Sequence, residues 1–378
     1  MHKSFLASVM SCSLLVCTST AFANDGVKVG VIEPLTGSVA YDGKAFVDGA
    51  QLALVEINGK GGVLGKPLTL VVEDGQCKPA DTVNAMEKLV QKDQVAAVIG
   101  AFCSSATAAI MPLAQKYKLP LLTGVSSKAD LTEQGNGYFF RAAETDALLA
   151  EAFARILAND LKLKTVAYVG VNDDWGRGGV EGFQTKLSAL GVETVMTEYF
   201  DHGTSDFFTL ATKLRAAKPD GIFVAAETQD GSTFLKQMHD LGIDTKIFGV
   251  GSWATATFIN LAGPAAEGIY AAVPYVATED TERAANFVKK YQAAYSTKPG
   301  KYGAAGYNAV NIMAEAIARA GSADAEAIRE ALAKTHYEAP NGVYQFTDKG
   351  QAYGFNAMLV QIKGGEPGVV ASAPVEVH

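Results

Sequence analysis

Short apolar runs that end on glycine or small polar residues alternate with helical stretches along most of the chain, and no other feature narrows the fold so far. The runs at 27–32, 68–72, 95–100, 121–123, 138–141, 165–171, 192–200, 221–226, 246–250 and 268–273 have strand length. Between them lie helical segments at about 43–57, 79–91, 146–159, 175–190, 206–217 and 231–241, and another opens after Ser104-Ser105. In the first of these, Phe46, Ala50, Ala53, Leu54 and Ile57 recur at helical spacing. Asn58-Gly59-Lys60-Gly61-Gly62 stops it, because glycine and asparagine tolerate the left-handed backbone at a helix end. Strand–helix–strand alternation means βαβ units and a parallel sheet. Helices dominate over 281–295, 303–320 and 323–334; the runs 343–346 and 355–362 then read as antiparallel strands joined by glycine-rich turns.

A chain of 378 residues is longer than one hydrophobic core usually serves, so two domains are expected. No low-complexity linker separates them. Several short crossings, with a cleft between the two bodies, are the arrangement that follows. Open α/β sheets bind ligands at the carboxyl ends of their strands. Here those ends carry Ser104, Ser126-Ser127, Asn172-Asp173-Asp174-Trp175 and Glu227-Thr228-Gln229-Asp230.

The first residues read as a secretory leader: one lysine, an apolar run over 5–16 and a small-x-small site at Ala21-Phe22-Ala23. Cleavage after Ala23 starts the mature chain at Asn24. A lipoprotein site at Cys17 lacks the small residue expected just before it, and no later stretch has the length of a membrane helix. Export leaves Cys77 and Cys103, an even pair that reads as one disulfide in an oxidising compartment or as two buried thiols. No Cys/His cluster suits zinc. A net charge of −8 with no basic stripe argues against nucleic acid.

The stretch Ile99-Gly100-Ala101-Phe102-Cys103-Ser104-Ser105 deserves a closer reading. A strand that ends in hydroxyl residues just before a helix presents unpaired first-turn amides, which favour an anion. Ser104 and Ser105 either cap that helix or donate to a ligand. Asp173-Asp174 and Glu227 read as cation ligands or as solvated caps, with Asp174 a normal helix start before Trp175. Phe102, Tyr302 and Tyr307 belong either to the core or to a cleft wall. Catalytic constellations are missing: His202, His239, His336 and His378 sit in no HExxH, and there is no GxSxG elbow. Gly59-Lys60-Gly61-Gly62-Val63-Leu64-Gly65 follows a helix and precedes a strand, the reverse of a nucleotide loop. The expectation is a protein that is not an enzyme and needs no cofactor.

These pieces resemble the type I periplasmic solute-binding proteins of branched-chain (hydrophobic) amino-acid transporters. The matching blocks are Val29-Gly30-Val31 with Thr36-Gly37, Ile57-Asn58-Gly59-Lys60-Gly61-Gly62, and Val98-Ile99-Gly100 with Cys103-Ser104-Ser105. Leu131-Thr132, Phe140-Arg141, Asp174-Trp175-Gly176 and Ala266-Glu267-Gly268 follow in order over essentially the whole mature chain. The resemblance implies an α/β fold of two Rossmann-like lobes, with parallel sheets flanked by helices and joined by three hinge crossings. Lobe 1 is then 24–143 with 274–348, and lobe 2 is 144–273 with 349–378. It implies a periplasmic monomer that captures a small amino-acid-like solute by hinge closure and delivers it to an ABC permease with its ATPase. A sensor of the same fold, or a binder of an amine, amide or aromatic acid, is the alternative.

By the same resemblance the disulfide falls on Cys77 and Cys103. The ligand carboxylate falls on Ser104, beside Ser105, and on the Val125-Ser126-Ser127 turn. The aromatic wall falls on Phe102, Trp175 and Tyr302, with Trp175 standing where many relatives have tyrosine. The acid that holds the ligand ammonium in leucine-type members is replaced by Gly251. Glu227 stands where tyrosine is usual and Asp42 where an aromatic is common. Glu227 is therefore expected to take the ammonium, and Asp42 a second polar or cationic group.

Overall fold

The computed structural model describes residues 26–278 and 280–376; the leader and its cleavage site lie outside the described residues. The chain opens with β1 (Val27–Glu33), α1 (Ala40–Gly59), β2 (Leu68–Asp74), α2 (Pro79–Lys88), β3 (Ala97–Gly100), α3 (Ser104–Tyr117), β4 (Leu121–Thr123) and β5 (Phe139–Arg141). These five strands form one parallel sheet in the order β2-β1-β3-β4-β5. Their apolar residues face helices on both sides, which is why β3 and β4 are buried throughout.

The chain then crosses, at 142–145, to a second sheet. Its elements are α4 (Asp146–Asp160), β6 (Thr165–Val171), α5 (Asp174–Ala189), β7 (Glu193–Phe200), α6 (Phe208–Ala217), β8 (Gly221–Ala226), α7 (Thr228–Asp240), β9 (Lys246–Gly251), α8 (Ala256–Ala262) and β10 (Tyr270–Val273). A second crossing returns to α9 (Glu282–Tyr295), α10 (Lys301–Ala320) and α11 (Ala325–Leu332). The third, at 347–351, leads from β11 (Tyr337–Ala339) and β12 (Gly342–Phe346) into β13 (Ala352–Lys363) and β14 (Glu366–Pro374). The second sheet has the order β11-β12-β13-β10-β9-β8-β6-β7, with β14 added to β13. Strands β6 to β10 are parallel; β11 to β14 pair antiparallel. The hairpin β11–β12 lies within 274–348, yet it hydrogen-bonds to β13.

Helix α10 packs on α1 and so joins the first layer. The approach is closer than side chains allow: a Cβ on Gly49 would collide with the Gly303 carbonyl, and one on Gly306 with the Phe46 carbonyl. This contact brings Asp42 at the start of α1 next to Tyr302 at the start of α10.

Several elements differ from the sequence reading. The helix expected over 79–91 ends at Lys88 and continues as a π-helical turn, Leu89–Asp93. Helix α7 begins at Thr228, ahead of the expected 231. Helix α8 and strand β14 were not expected; β14 contains two prolines and lies at a sheet edge, where missing N–H groups are tolerated.

Candidate functional site

Strand order reverses among the parallel strands of each sheet. In the first, β1 lies between β2 and β3; in the second, β6 lies between β7 and β8. Two successive loops diverge at such a point and leave a crevice past the carboxyl ends of the strands. In the first sheet those ends lead to Asp42 and to Phe102-Cys103-Ser104. In the second they lead to Trp175 and to Glu227. The two crevices face each other, with α3 against α5 and α1 against α7. One cavity between them is lined by Phe102, Ser104, Ser127, Trp175, Glu227 and Tyr302, with Cys103, Val125, Ser126, His202 and Lys301 completing it.

On the first wall, the residue at the N-cap of α3 is Cys103, and it makes no side-chain cap. The serine cap considered from sequence is therefore not made: Ser104 is already the first helical residue, and Ser105 does not line the cavity. Cys77 and Cys103 are disulfide-bonded with Cα atoms 5.4 Å apart, which ties the start of α3 to the turn after β2. The hydroxyls divide their work. Ser126 Oγ bonds to the carbonyls of Ala101 and Phe102, each at 3.0 Å, and to Thr107 Oγ1 at 2.6 Å, so it holds the β3–α3 loop in shape. Ser127 Oγ donates to Asp146 Oδ2 at 2.8 Å. Ser104 Oγ accepts from the Lys128 N–H at 3.2 Å, which leaves its own proton to give.

On the second wall, Trp175 follows the N-cap of α5. That cap is Asp173, whose Oδ1 accepts from the Gly176 N–H at 2.8 Å. Asp174, the expected cap, is instead the first helical residue and pairs with Lys128 at 3.6 Å. Glu227 occupies the N-cap of α7 without capping it. Trp253, fully buried, donates from Nε1 to the Ala226 carbonyl at 2.8 Å and so fixes the strand end that carries Glu227. Gly251 explains how Trp175 and Glu227 fit together. Its φ is +98°, and a Cβ there would lie 2.9 Å from the Ala226 carbonyl, 3.2 Å from the Trp175 ring and 3.3 Å from Glu227 Oε2. The space a side chain at 251 would enter is taken by the indole and the carboxylate.

Besides Ser127–Asp146 and Lys128–Asp174, two more residue pairs join the walls. Tyr302 donates to Glu227 Oε2 at 2.5 Å, and its ring lies 4.7 Å from that of Phe102. Asp42 accepts from Thr228 at both N–H (3.2 Å) and Oγ1 (2.5 Å). Asp42 thus caps α7 from α1, and it lines an outer chamber with Tyr41 and Tyr291 instead of the inner cavity.

Burial sets the electrostatics. It pushes Glu227 up to about 8, with the neighbouring Asp42 adding to the effect. It raises Asp42 to about 6 against the Thr228 hydrogen bonds, and Asp146 to about 6 against the Ser127 bond. For His202 burial works the other way, but Asp173 at 3.0 Å and Asp230 at 3.7 Å overcome it and push the imidazole up to about 10.

Sequence reading gave Asp146 and Lys301 no part in a site, named Thr228 only as a strand-end residue and considered His202 only for catalytic motifs. Asp146 looked like the first residue of a helix behind the Thr145 cap, which it also is. His202 and Lys301 belong to no local pattern and reach the cavity only through the fold.

The periplasmic binding protein family model matches residues 26–366. The chain belongs to the periplasmic binding protein family. Among its relatives, a leucine-, isoleucine-, valine-, threonine- and alanine-binding protein of Pseudomonas aeruginosa is 28% identical over 338 residues, covering 89% of this chain and 90% of that protein. A Leu/Ile/Val-binding protein of Rhizobium johnstonii is 30% identical, covering 86% and 88%. The solved leucine-binding protein LivK of Thermotoga maritima superposes with a TM-score of 0.85 at 28% identity, covering 92% of this chain and 98% of that one. The family is one of solute-binding proteins, not of enzymes, and the two-sheet architecture with three crossings is the type I form of its fold.

Proposed function

We propose that this chain is the solute-capturing component of an ABC importer, working in the periplasm as a monomer once its leader is removed after Ala23. Two lobes, 24–143 with 274–348 and 144–273 with 349–378, close on a small amino-acid-like ligand about the three crossings. A ligand carboxylate sits at the start of α3, where Ser104 and the first-turn amides donate. The ligand ammonium goes to Glu227, whose charged form a cation favours, beside the Trp175 ring. The closed protein then presents the ligand to a membrane permease with its ATPase.

The observation that carries this reading is that both topological switch points open onto one cavity lined by hydroxyls, aromatic rings and charges of both signs. Its test is to denature the purified full-length protein and identify what it releases by mass spectrometry. A small solute in near-equal amount supports the reading. No released solute, together with no thermal shift from amino acids, amines or amides, overturns it. Ser104→Ala and Glu227→Ala are each expected to weaken the solute about tenfold or more in calorimetry. Unchanged affinity in both would remove the site assignment.

A further inference from the structure

Around the inner cavity, buried carboxyl groups outnumber cationic side chains. Glu227 lines it, and Asp42, Glu144 and Asp146 stand behind its lining residues, each of the four 6% exposed or less. Two cationic side chains stand among them: Arg141, fully buried behind the cavity, acts on Asp146 and Glu144, and Lys301 lines the cavity itself. The Lys301 side chain is 12% exposed, and its Nζ lies 4.0 Å from Glu144 and 4.7 Å from the centre of the Tyr302 ring. Its charge acts on Asp42, Asp146 and Glu227 together. His202 adds a third positive charge, but Asp173 and Asp230 already share it. Lys301 is therefore the counter-ion of a carboxylate group larger than itself, and an anion placed beside it competes with all of that group.

Glu227 also has an acceptor to spare. Oε2 takes the Tyr302 hydroxyl, while Oε1 has no hydrogen-bond partner among the described residues, on a side chain that lines the cavity. Asp146, at the start of α4, lies behind the same wall, held by Ser127 and facing Trp175, both of which line the cavity. The two carboxylates flank one indole.

We infer that the ligand carries a net positive charge, with its cationic group held by Glu227 beside Trp175 and Asp146 behind the indole. The inference rests on the solute-capture reading and names the class of solute. A neutral zwitterion brings as much negative charge as positive and leaves the excess of carboxylates unmet; a carboxylic acid adds to that excess. A basic amino acid and a short diamine share the chemistry required, which is more ammonium than carboxylate. Burial strengthens the preference, because charge-assisted bonds gain where water is excluded.

The test is calorimetry on the full-length protein, stripped of solute by unfolding and refolding, with L-ornithine, L-lysine, putrescine, L-leucine and L-glutamate at one low ionic strength. At least one basic probe is expected to bind ten or more times tighter than L-leucine, and L-glutamate not to bind. Ornithine or lysine above putrescine means the ligand also uses a carboxylate seat; putrescine above both means it does not, and either order supports the inference. L-leucine or L-glutamate binding as tightly as every basic probe overturns the inference and leaves solute capture standing. No binding by any probe, with no solute released on denaturation, overturns both. Asp146→Asn is expected to weaken the best basic probe at least tenfold, and unchanged affinity in the folded variant removes Asp146 from the cation's surroundings. If the variant does not refold, the comparison on the natural protein decides alone.

Discussion

Glu227 is a carboxyl group that folding buries, and its ionisation is therefore linked to stability. Its pKa rises from 4.5 to about 8, chiefly because burial penalises the charge. The folded state then holds the proton more tightly than the unfolded chain does. The stabilisation is complete below pH 4.5 and is given up as pH rises toward 8. Asp42 and Asp146 act with the same sign between 3.8 and about 6. The melting temperature without added solute is expected to fall as pH is raised from about 5 to 8, a loss of roughly 1–3 kcal/mol. Glu227→Gln is expected to flatten the upper half of that slope, and calorimetric scans in a pH series check it. Glu227 itself was legible as a departure at a strand end. That its carboxylate fills the space left by Gly251 was not, because the two residues meet only when β8 and β9 lie side by side.

At the scale of elements, strands β6 and β8 match their expected limits, since a buried parallel strand is a continuous apolar run that stops at polar residues. Helix starts were harder to read. Helix α7 starts early because its cap, Asp42, comes from α1, 186 residues away in sequence. Helix α3 starts at Ser104 without a side-chain cap, and what fixes its first turn is the Cys77–Cys103 bond and the Ser126 hydroxyl. Cross-linking residues 26 apart restricts the unfolded chain by about 3 kcal/mol in the loop-entropy picture. Replacing both cysteines by alanine is expected to lower stability by about that amount in denaturant unfolding. It is also expected to weaken solute binding, because α3 presents its amides to the cavity. A loss of stability with affinity intact would separate the two roles.

The whole molecule is two sheets held face to face by few direct bonds. Asp42–Thr228 and Tyr302–Glu227 cross the cleft. Behind it, Gln351 in the third crossing accepts from Arg141 Nε at 2.6 Å and donates to the Ala143 carbonyl in the first at 2.8 Å. The same Arg141 reaches the Lys128 and Ala129 carbonyls, beside the Ser126-Ser127 turn. The crossings are thus tied together while the cleft face is latched by bonds that can break. Asp42→Ala combined with Tyr302→Phe removes these two latches and leaves Ser127–Asp146 and Lys128–Asp174. It is expected to increase the radius of gyration in small-angle scattering with saturating solute, and to lower affinity about tenfold or more. An unchanged radius and affinity would mean that closure does not depend on these two latches.

The sequence alone determined the α/β class, the two-body organisation and the positions of the strand ends, because hydrophobic periodicity and turn chemistry are local. It also singled out Cys77 and Cys103, as one disulfide or two buried thiols, and the structure bonds them. The tertiary structure decided what each polar side chain does. Ser126 braces a loop, Asp42 caps a distant helix, and Asp146, Lys301 and His202 enter the site from three separate elements. Those roles depend on distances between residues far apart in the chain, and such distances are set only when the two sheets come together.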